Sequence, residues 1–422
     1  MTGLSLGIDI GTSGIRTAVL DVSGTLVSEA RVKHLDQDPD RVDARHWWKV
    51  VLRCVALQRG ALRELGRDLS DVVRVSVDGT SGTMVLTDTD LNPVSRALMY
   101  NSTGFEAEAA HIACFAPDVH VARGANGAFA RALRLQAEAP EAVHLLHQAD
   151  YIIARLRGVG GVSDHNNALK LGFDPETQCY PSWFGETDIR NELLPKVVPA
   201  GTPLGPMARD VATELGFSNK VIVHAGTTDS VAAFLAAAPL EEGAAVTSLG
   251  TTLAVKVLSA RRIDDPAVGL YAHKVGDVWL AGGASNTGGG VLATLFSTQE
   301  LGALSAQIDP MRVSPLDYYP LLKPGERFPV NDPHLAPRLE PRPENDADYL
   351  HGILESIARI EAQCYQAITA RGGGVPQQLF TAGGGAKNDV WTRIRERVLG
   401  IEISQPQHAE AAVGLAKLIM RT

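Results

Sequence analysis

The chain has 422 residues, enough for two or three domains rather than one. Its 39 basic and 48 acidic residues give a net charge of −9 with no basic run, which argues against nucleic acid or an anionic lipid surface as a partner. Hydrophobic residues at 45% and charged residues at 21% exclude a disordered chain, and no apolar run reaches the ~20 residues of a membrane-crossing helix. Residues 1–7 carry no basic segment of the secretory kind, and the four cysteines have neither zinc nor C-x-x-C spacing, so buried thiols in a reducing cytoplasm are expected. Glycine is over-represented at 41 residues, against a typical ~7%. The excess is either loose linker or backbone that must come close to something.

Residues 4–10 alternate into a Gly11-Thr12-Ser13-Gly14 turn, and residues 15–20 return as a second strand. A turn at residues 21–24 leads to a third strand over residues 25–34. Trp47, Val51, Cys54, Val55, Leu62 and Leu65 recur at helical spacing, which predicts a helix over residues 44–65. A β-branched strand at 72–77 runs into Asp78-Gly79-Thr80-Ser81-Gly82. A buried-strand pattern at 221–225 meets Gly226-Thr227-Thr228-Asp229, with a helix over 230–238. Strands at 245–249 and 253–258 flank Gly250-Thr251-Thr252 and repeat the opening hairpin, which suggests a duplicated domain. A strand at 278–281 precedes a Gly-rich loop containing Gly282, Gly283, Asn286 and Gly288. Residues 310–343 are Pro-rich and predict an irregular surface excursion, and residues 346–371 predict a long helix. A strand at 378–381 enters Gly383-Gly384-Gly385-Ala386-Lys387-Asn388, followed by a helix over 389–399.

The glycines therefore sit at strand ends, where open α/β sheets bind ligands and where free backbone N–H groups suit phosphate oxygens. There is no G-x-x-x-x-G-K-[ST] loop, so a nucleotide would be held by hairpin turns and split Gly-rich loops. Three carboxylates share such positions. Asp9 lies in an apolar strand, where a charge is costly unless it meets a ligand, a metal or a hydrogen-bonding partner. Asp78 ends a strand, as a turn aspartate also would. Asp229 opens a helix, where an N-cap aspartate is also common.

On these residues the chain resembles the FGGY carbohydrate kinases of the actin/hexokinase-like ATPase superfamily. Leu6-Gly7-Ile8-Asp9-Ile10-Gly11-Thr12-Ser13 looks like the first phosphate motif, and Thr247-Ser248-Leu249-Gly250-Thr251-Thr252 like the second. His224-Ala225-Gly226-Thr227-Thr228-Asp229-Ser230 resembles the segment with the catalytic aspartate. Residues 382–391 resemble the adenosine motif, with Gly282-Gly283 and Asn286 like the segment before it.

The resemblance implies an α/β, two-lobe actin-like ATPase, a duplicated ribonuclease H-like domain with the active site in the interlobe cleft. Its lobes would be residues 1–228 and 229–422, the last ~20 residues packing back on the first. It implies a kinase that uses ATP and Mg2+ to phosphorylate a ketopentose, D-ribulose first and D-xylulose as the alternative. Asp229 would be the general base, with Asp9, Asp78 and Ser81 on the sugar and Asp9 also toward the metal. Gly11, Thr12, Ser13, Gly250, Thr251, Thr252, Gly283, Asn286, Gly383, Gly384, Gly385 and Asn388 would hold ATP. Leu98-Met99-Tyr100-Asn101-Ser102-Thr103 stands where relatives often show Trp-x-Asp with a following Arg. The run Val77-Asp78-Gly79-Thr80-Ser81-Gly82-Thr83 is closer to ribulose-kinase-like members than to xylulose kinases. A non-kinase sugar-binding ATPase of the same superfamily is the reading of a different class.

Overall fold

In the computed structural model, which describes residues 3–34 and 38–421, the chain forms two compact units. The first comprises residues 1–236 and 408–422, and the second residues 237–407.

The first unit is built on a seven-stranded sheet. Strands β1 (Leu4–Ile10), β2 (Gly14–Leu20) and β3 (Leu26–Lys33) form an antiparallel meander, and β4 (Val72–Gly79) lies parallel to β1 on its other side. Strands Ile222–His224 and Pro203–Pro206 follow β4 in the sheet, and Thr227–Thr228 pairs with the end of β4. Strands β1 and β2 are buried along nearly their whole length because both faces of the sheet are covered. On one face Thr17 of β2 hydrogen-bonds Gln58 of helix α1 (Ala44–Glu64), whose Trp47, Val51 and Cys54 join the same core. On the other face the next side chains, Ala18 and Leu20, pack on Ala412, Val413 and Ala416 of helix Ala411–Met420.

That last helix comes so close to the sheet that a Cβ at Gly7 would lie 2.0 Å from the Ala412 carbonyl oxygen. It also crosses helix Asp229–Ala237 closely. Gly414 leaves no room for a Cβ beside the Ala232 carbonyl, and Lys417 Nζ donates to Ala236 O at 2.9 Å. These contacts correct the boundary drawn at 228/229, because they tie almost all of helix Asp229–Ala237 to the first unit.

The second unit repeats the plan. Strands Ala244–Leu249 and Leu253–Ser259 form the hairpin, Val278–Ser285 pairs antiparallel with the second of them, and Gln378–Ala382 runs parallel to the first. Tyr271–Val275 and Ile403–Ser404 close the edges of this six-stranded sheet. Helix Asp346–Ala370 starts at an Asn345 cap and buries Leu350, Ile353, Leu354 and Ile357 with Trp391 and Ile394 of helix Asp389–Leu399.

One element departs from the sequence expectation. The strand predicted to end at residue 281 continues to Ser285, so Gly282 and Gly283 are sheet residues, not a loop. A Cβ at Gly282 would lie 2.3 Å from the Val255 carbonyl oxygen, and one at Gly283 would lie 2.5 Å from the buried Phe328 ring. Their glycines admit a neighbouring strand and an aromatic ring. Phe328 belongs to the expected excursion, which carries no helix or strand over residues 310–343. Its anchor is the buried Glu326, whose carboxylate accepts from Ser285 Oγ and Asn286 N, both at 2.6 Å, and from the Tyr319 hydroxyl at 2.9 Å.

Candidate active site

In the first unit the β1/β4 register makes Asp9 and Asp78 direct neighbours, and Thr227 pairs with Asp78 from the next strand. Asp9 is 4% exposed and Asp78 fully buried. The Asp78 oxygens have no partner among the described residues beyond the Asp9 carboxyl and the Ile10 backbone N–H beside them. Burial raises Asp78 well above the ordinary carboxylate range, and the charges of Asp9 and Asp229 push the same way. Burial also raises Asp9, against the pull of its hydrogen bonds to Asp78 and Arg16. The three aspartates singled out in the sequence thus converge on one spot, where burial and the two neighbouring charges press hardest on Asp78.

Arg16 was not singled out, yet it completes this cluster. It faces Asp9 across the hairpin, donates from Nη1 to Asp9 Oδ2 at 3.1 Å, and lies 3.1 Å from Glu410. The signal was available, since Arg16 is a lone charge in an otherwise apolar strand, as Asp9 is. The Gly11 turn beside it is closed by Gly11 N donating to Gly14 O at 3.0 Å, with Thr12 and Ser13 exposed at its tip. Asp229 is half-buried at the first position of its helix, and its Oδ1 accepts from Ser230 N at 2.6 Å. The Ser81 hydroxyl is buried and has no partner among the described residues.

In the second unit a cavity of about 770 Å3 opens beside the repeated hairpin turn. Gly250 and Thr251 line it, and their carbonyls accept from Gly289 N at 2.8 Å and Gly290 N at 3.0 Å at the start of helix Gly289–Leu295. Gly384 and Gly385 line the opposite part. A Cβ at Gly385 would lie 2.7 Å from both Leu249 and the Trp391 ring, so only backbone fits there. Asn388 is held on two sides: its Oδ1 accepts from Trp391 N at 3.0 Å, and its Nδ2 donates to Ser305 Oγ at 2.9 Å. That second bond joins helix Thr298–Ser305, whose Thr298, Leu301 and Ser305 form a further wall. Lys387 adds an exposed cation to the rim.

Four residues expected at this site lie outside the lining. Gly283 is under Phe328 within the sheet. Asn286 is spent on the excursion, donating to Gly325 O at 2.9 Å and accepting from Arg327 Nε at 2.7 Å. Thr252 closes the hairpin by accepting from Gly250 N at 3.1 Å. Gly383, at φ +87, turns the chain where a Cβ would lie 2.5 Å from the Leu249 carbonyl oxygen. The wall from Thr298 to Ala306 was missed, since nothing in that segment distinguishes it from any amphipathic helix.

The chain matches the N-terminal domain of the FGGY family of carbohydrate kinases over residues 4–116 and the C-terminal domain of that family over residues 245–422. It belongs to the FGGY family. It is therefore a sugar kinase, with the mixed α/β actin-like ATPase fold. Xylulose kinase from Streptomyces rubiginosus is 27% identical, over 98% of this chain and 86% of its own. Xylulose kinase from Staphylococcus epidermidis is 24% identical, over 96% of this chain and 85% of its own. Among solved structures, xylulose kinase from Rhodospirillum rubrum superposes with TM-score 0.84 at 21% identity, covering 98% of this chain and 89% of that one. Plasmodium falciparum glycerol kinase with ADP superposes with TM-score 0.84 at 15% identity, covering 99% of this chain and 89% of that one. Among the described residues of this kinase no helix is long and apolar enough to cross a membrane, and no group of three or more His, Cys, Asp or Glu is placed to hold a metal ion.

Proposed function

We propose that this kinase transfers the γ-phosphoryl group of MgATP to a hydroxyl of a ketopentose. The observation that carries the reading is the division of labour among three neighbouring carboxyl groups. Asp78 is buried and pushed well above the ordinary carboxylate range, Asp9 is held by Arg16, and of the three Asp229 alone stands half-open, at a helix start. A half-open carboxylate can accept the proton of an attacking hydroxyl, and the positive helix end keeps it ionised. Ser81 offers its unpartnered hydroxyl, and Asp78 its carboxyl, to the sugar. Gly11, Thr12 and Ser13 would receive phosphate oxygens on the first unit, and Gly250 and Thr251 on the second, with the nucleoside in the cavity of about 770 Å3.

The donor set fits Mg2+ in the form that phosphoryl-transfer sites use. A single carboxylate, Asp9, would approach a cation otherwise ligated by phosphate and water oxygens, so no cluster of three protein ligands is needed. When bound, Mg2+ neutralises charge on the phosphates. Arg16, already paired with Asp9, adds a second positive group beside the Gly11 turn.

D-Ribulose and D-xylulose are the acceptors the reading favours. The small hydroxyl residues after Asp78 support the first, and the xylulose kinases among the relatives support the second. An ADP-release assay over ketopentoses, aldoses and polyols tests this. Turnover is expected only with a ketopentose, and ATP hydrolysis indifferent to every sugar would overturn the kinase reading in favour of a non-kinase ATPase.

The nucleotide half has its own test. Ala306 lines the cavity, and Ala306→Trp would fill space the nucleoside needs. ADP affinity measured by calorimetry is expected to fall about tenfold or more, with melting temperature unchanged. Undiminished ADP binding would place the nucleotide elsewhere.

A further inference from the structure

A buried guanidinium in the first unit has no acidic partner among the described residues. Arg131, on helix Ala128–Glu138, is 3% exposed, and burial alone lowers its pKa to about 10. The nearby His147 is held neutral, at about 3, by burial and by the Arg131 charge, so it adds no second cation. A charge removed from water without a counter-ion is costly and needs full hydrogen bonding to persist. Here the compensation comes from the backbone of three separate segments. Nε donates to Gly82 O at 3.1 Å, and Nη1 donates to Tyr100 O at 3.3 Å and to Asn126 O at 3.1 Å.

The segment between Asp78 and strand Met84–Thr87 is the one most tightly fastened. Gln148 Oε1 accepts from Thr80 N at 3.0 Å and from Thr80 Oγ1 at 2.8 Å. Thr83 Oγ1 bonds Thr80 Oγ1 at 2.7 Å and accepts from Tyr100 N at 3.0 Å. Gly82, at φ +81, lies so close under the guanidinium that a Cβ would be 2.8 Å from Nη2. Within this clamp the Ser81 hydroxyl alone is buried and unpartnered among the described residues. The loop is fastened on both sides of one buried hydrogen-bonding group that lacks a partner among the described residues.

We propose that Arg131 is the positioning residue of the acceptor site: by fastening the Gly82, Tyr100 and Asn126 carbonyls it fixes where the Ser81 hydroxyl meets the sugar. The proposal rests on the sugar-kinase reading of the first unit. Arginine is required because its planar fork reaches carbonyls in several directions, whereas a lysine ammonium is a single point donor on a flexible stem.

The test uses the full chain, with D-xylulose and D-ribulose as probes, and compares Arg131→Met, Arg131→Lys and Gly82→Ala, the last pressing on Nη2 from the loop side. KM for the ketopentose is expected to rise about tenfold or more in Arg131→Met and less in Arg131→Lys, with kcat and the KM for ATP within about threefold. Gly82→Ala should move the sugar KM in the same direction. A residue that only holds the fold would instead lower the melting temperature and the active fraction, leaving both KM values in place. A sugar KM within about twofold of wild type in folded variants, or an equal rise in the KM for ATP, would overturn the proposal. If Arg131→Met does not fold, Arg131→Lys and Gly82→Ala decide the matter by the same KM split. A wild-type chain that turns over neither ketopentose overturns the sugar reading and this proposal with it. Wild-type turnover with unmoved variants overturns the Arg131 proposal alone.

Discussion

Asp229→Asn is expected to lower kcat for ketopentose phosphorylation by about a thousandfold or more, the usual size of a lost general base. The amide keeps the side chain's shape and the acceptor that Ser230 N uses, so the helix start is preserved. It cannot take a proton from a sugar hydroxyl. The substitution also removes a charge that helps push Asp78 up, so the cluster of buried carboxyls is relieved rather than strained. Folding stability should be unchanged or slightly higher, and nucleotide binding to the second unit should be intact. Calorimetric ADP titration and thermal melting, run beside the kinetics, separate loss of chemistry from loss of structure. A folded Asp229→Asn enzyme retaining even a tenth of wild-type kcat would remove Asp229 from the catalytic role.

The largest expected effect on stability lies in the second unit. Arg395 and Glu361 are both fully buried, joined by Nε to Oε2 at 2.7 Å and Nη2 to Oε1 at 2.8 Å. Thr247 Oγ1 donates to Glu361 Oε1, and Arg395 Nη1 donates to Thr381 Oγ1 at 2.9 Å. Thr247 and Thr381 are register partners on the parallel strands that end in the Gly250 turn and the Gly383 turn. The ion pair therefore fastens the two strands whose ends shape the cavity. Arg395→Met leaves the Glu361 carboxylate buried without its cation, which should cost about 3–5 kcal/mol. At about 2–4 °C per kcal/mol, that is roughly 6–20 °C in melting temperature of this unit. Replacing both partners by apolar residues of similar size should recover much of the loss, because no charge is then left unpaired. A single variant that melts within about 2 °C of wild type would show the pair to be dispensable.

Much of this molecule follows from local pattern. The apolar alternation around Gly11 and Gly250, the helical stripe of residues 44–65 and the Asp389–Leu399 helix all appear in the structure within a residue or two of their expected bounds. Asp9, Asp78 and Asp229 were visible because a charge at the end of an apolar strand is expensive and so draws notice. Gly282 and Gly283 were read as loop residues for a related reason. A glycine run after a strand looks the same whether it makes a loop or makes room for Phe328, and only the partner across the sheet tells them apart. Nothing local marks Arg131, since two of its three carbonyl partners, Gly82 and Tyr100, come from segments remote in the chain.

The sequence by itself determined the two hairpins, the helices over 44–65, 346–371 and 389–399, and the family, because each is written in short-range periodicity and in the order of motifs. The tertiary structure alone decided which carboxyl is most deeply buried, which glycines face the cavity rather than a neighbouring strand, and where the last helix packs. Those outcomes depend on register, burial and close approach between residues far apart in the chain, and only the folded chain brings such residues together.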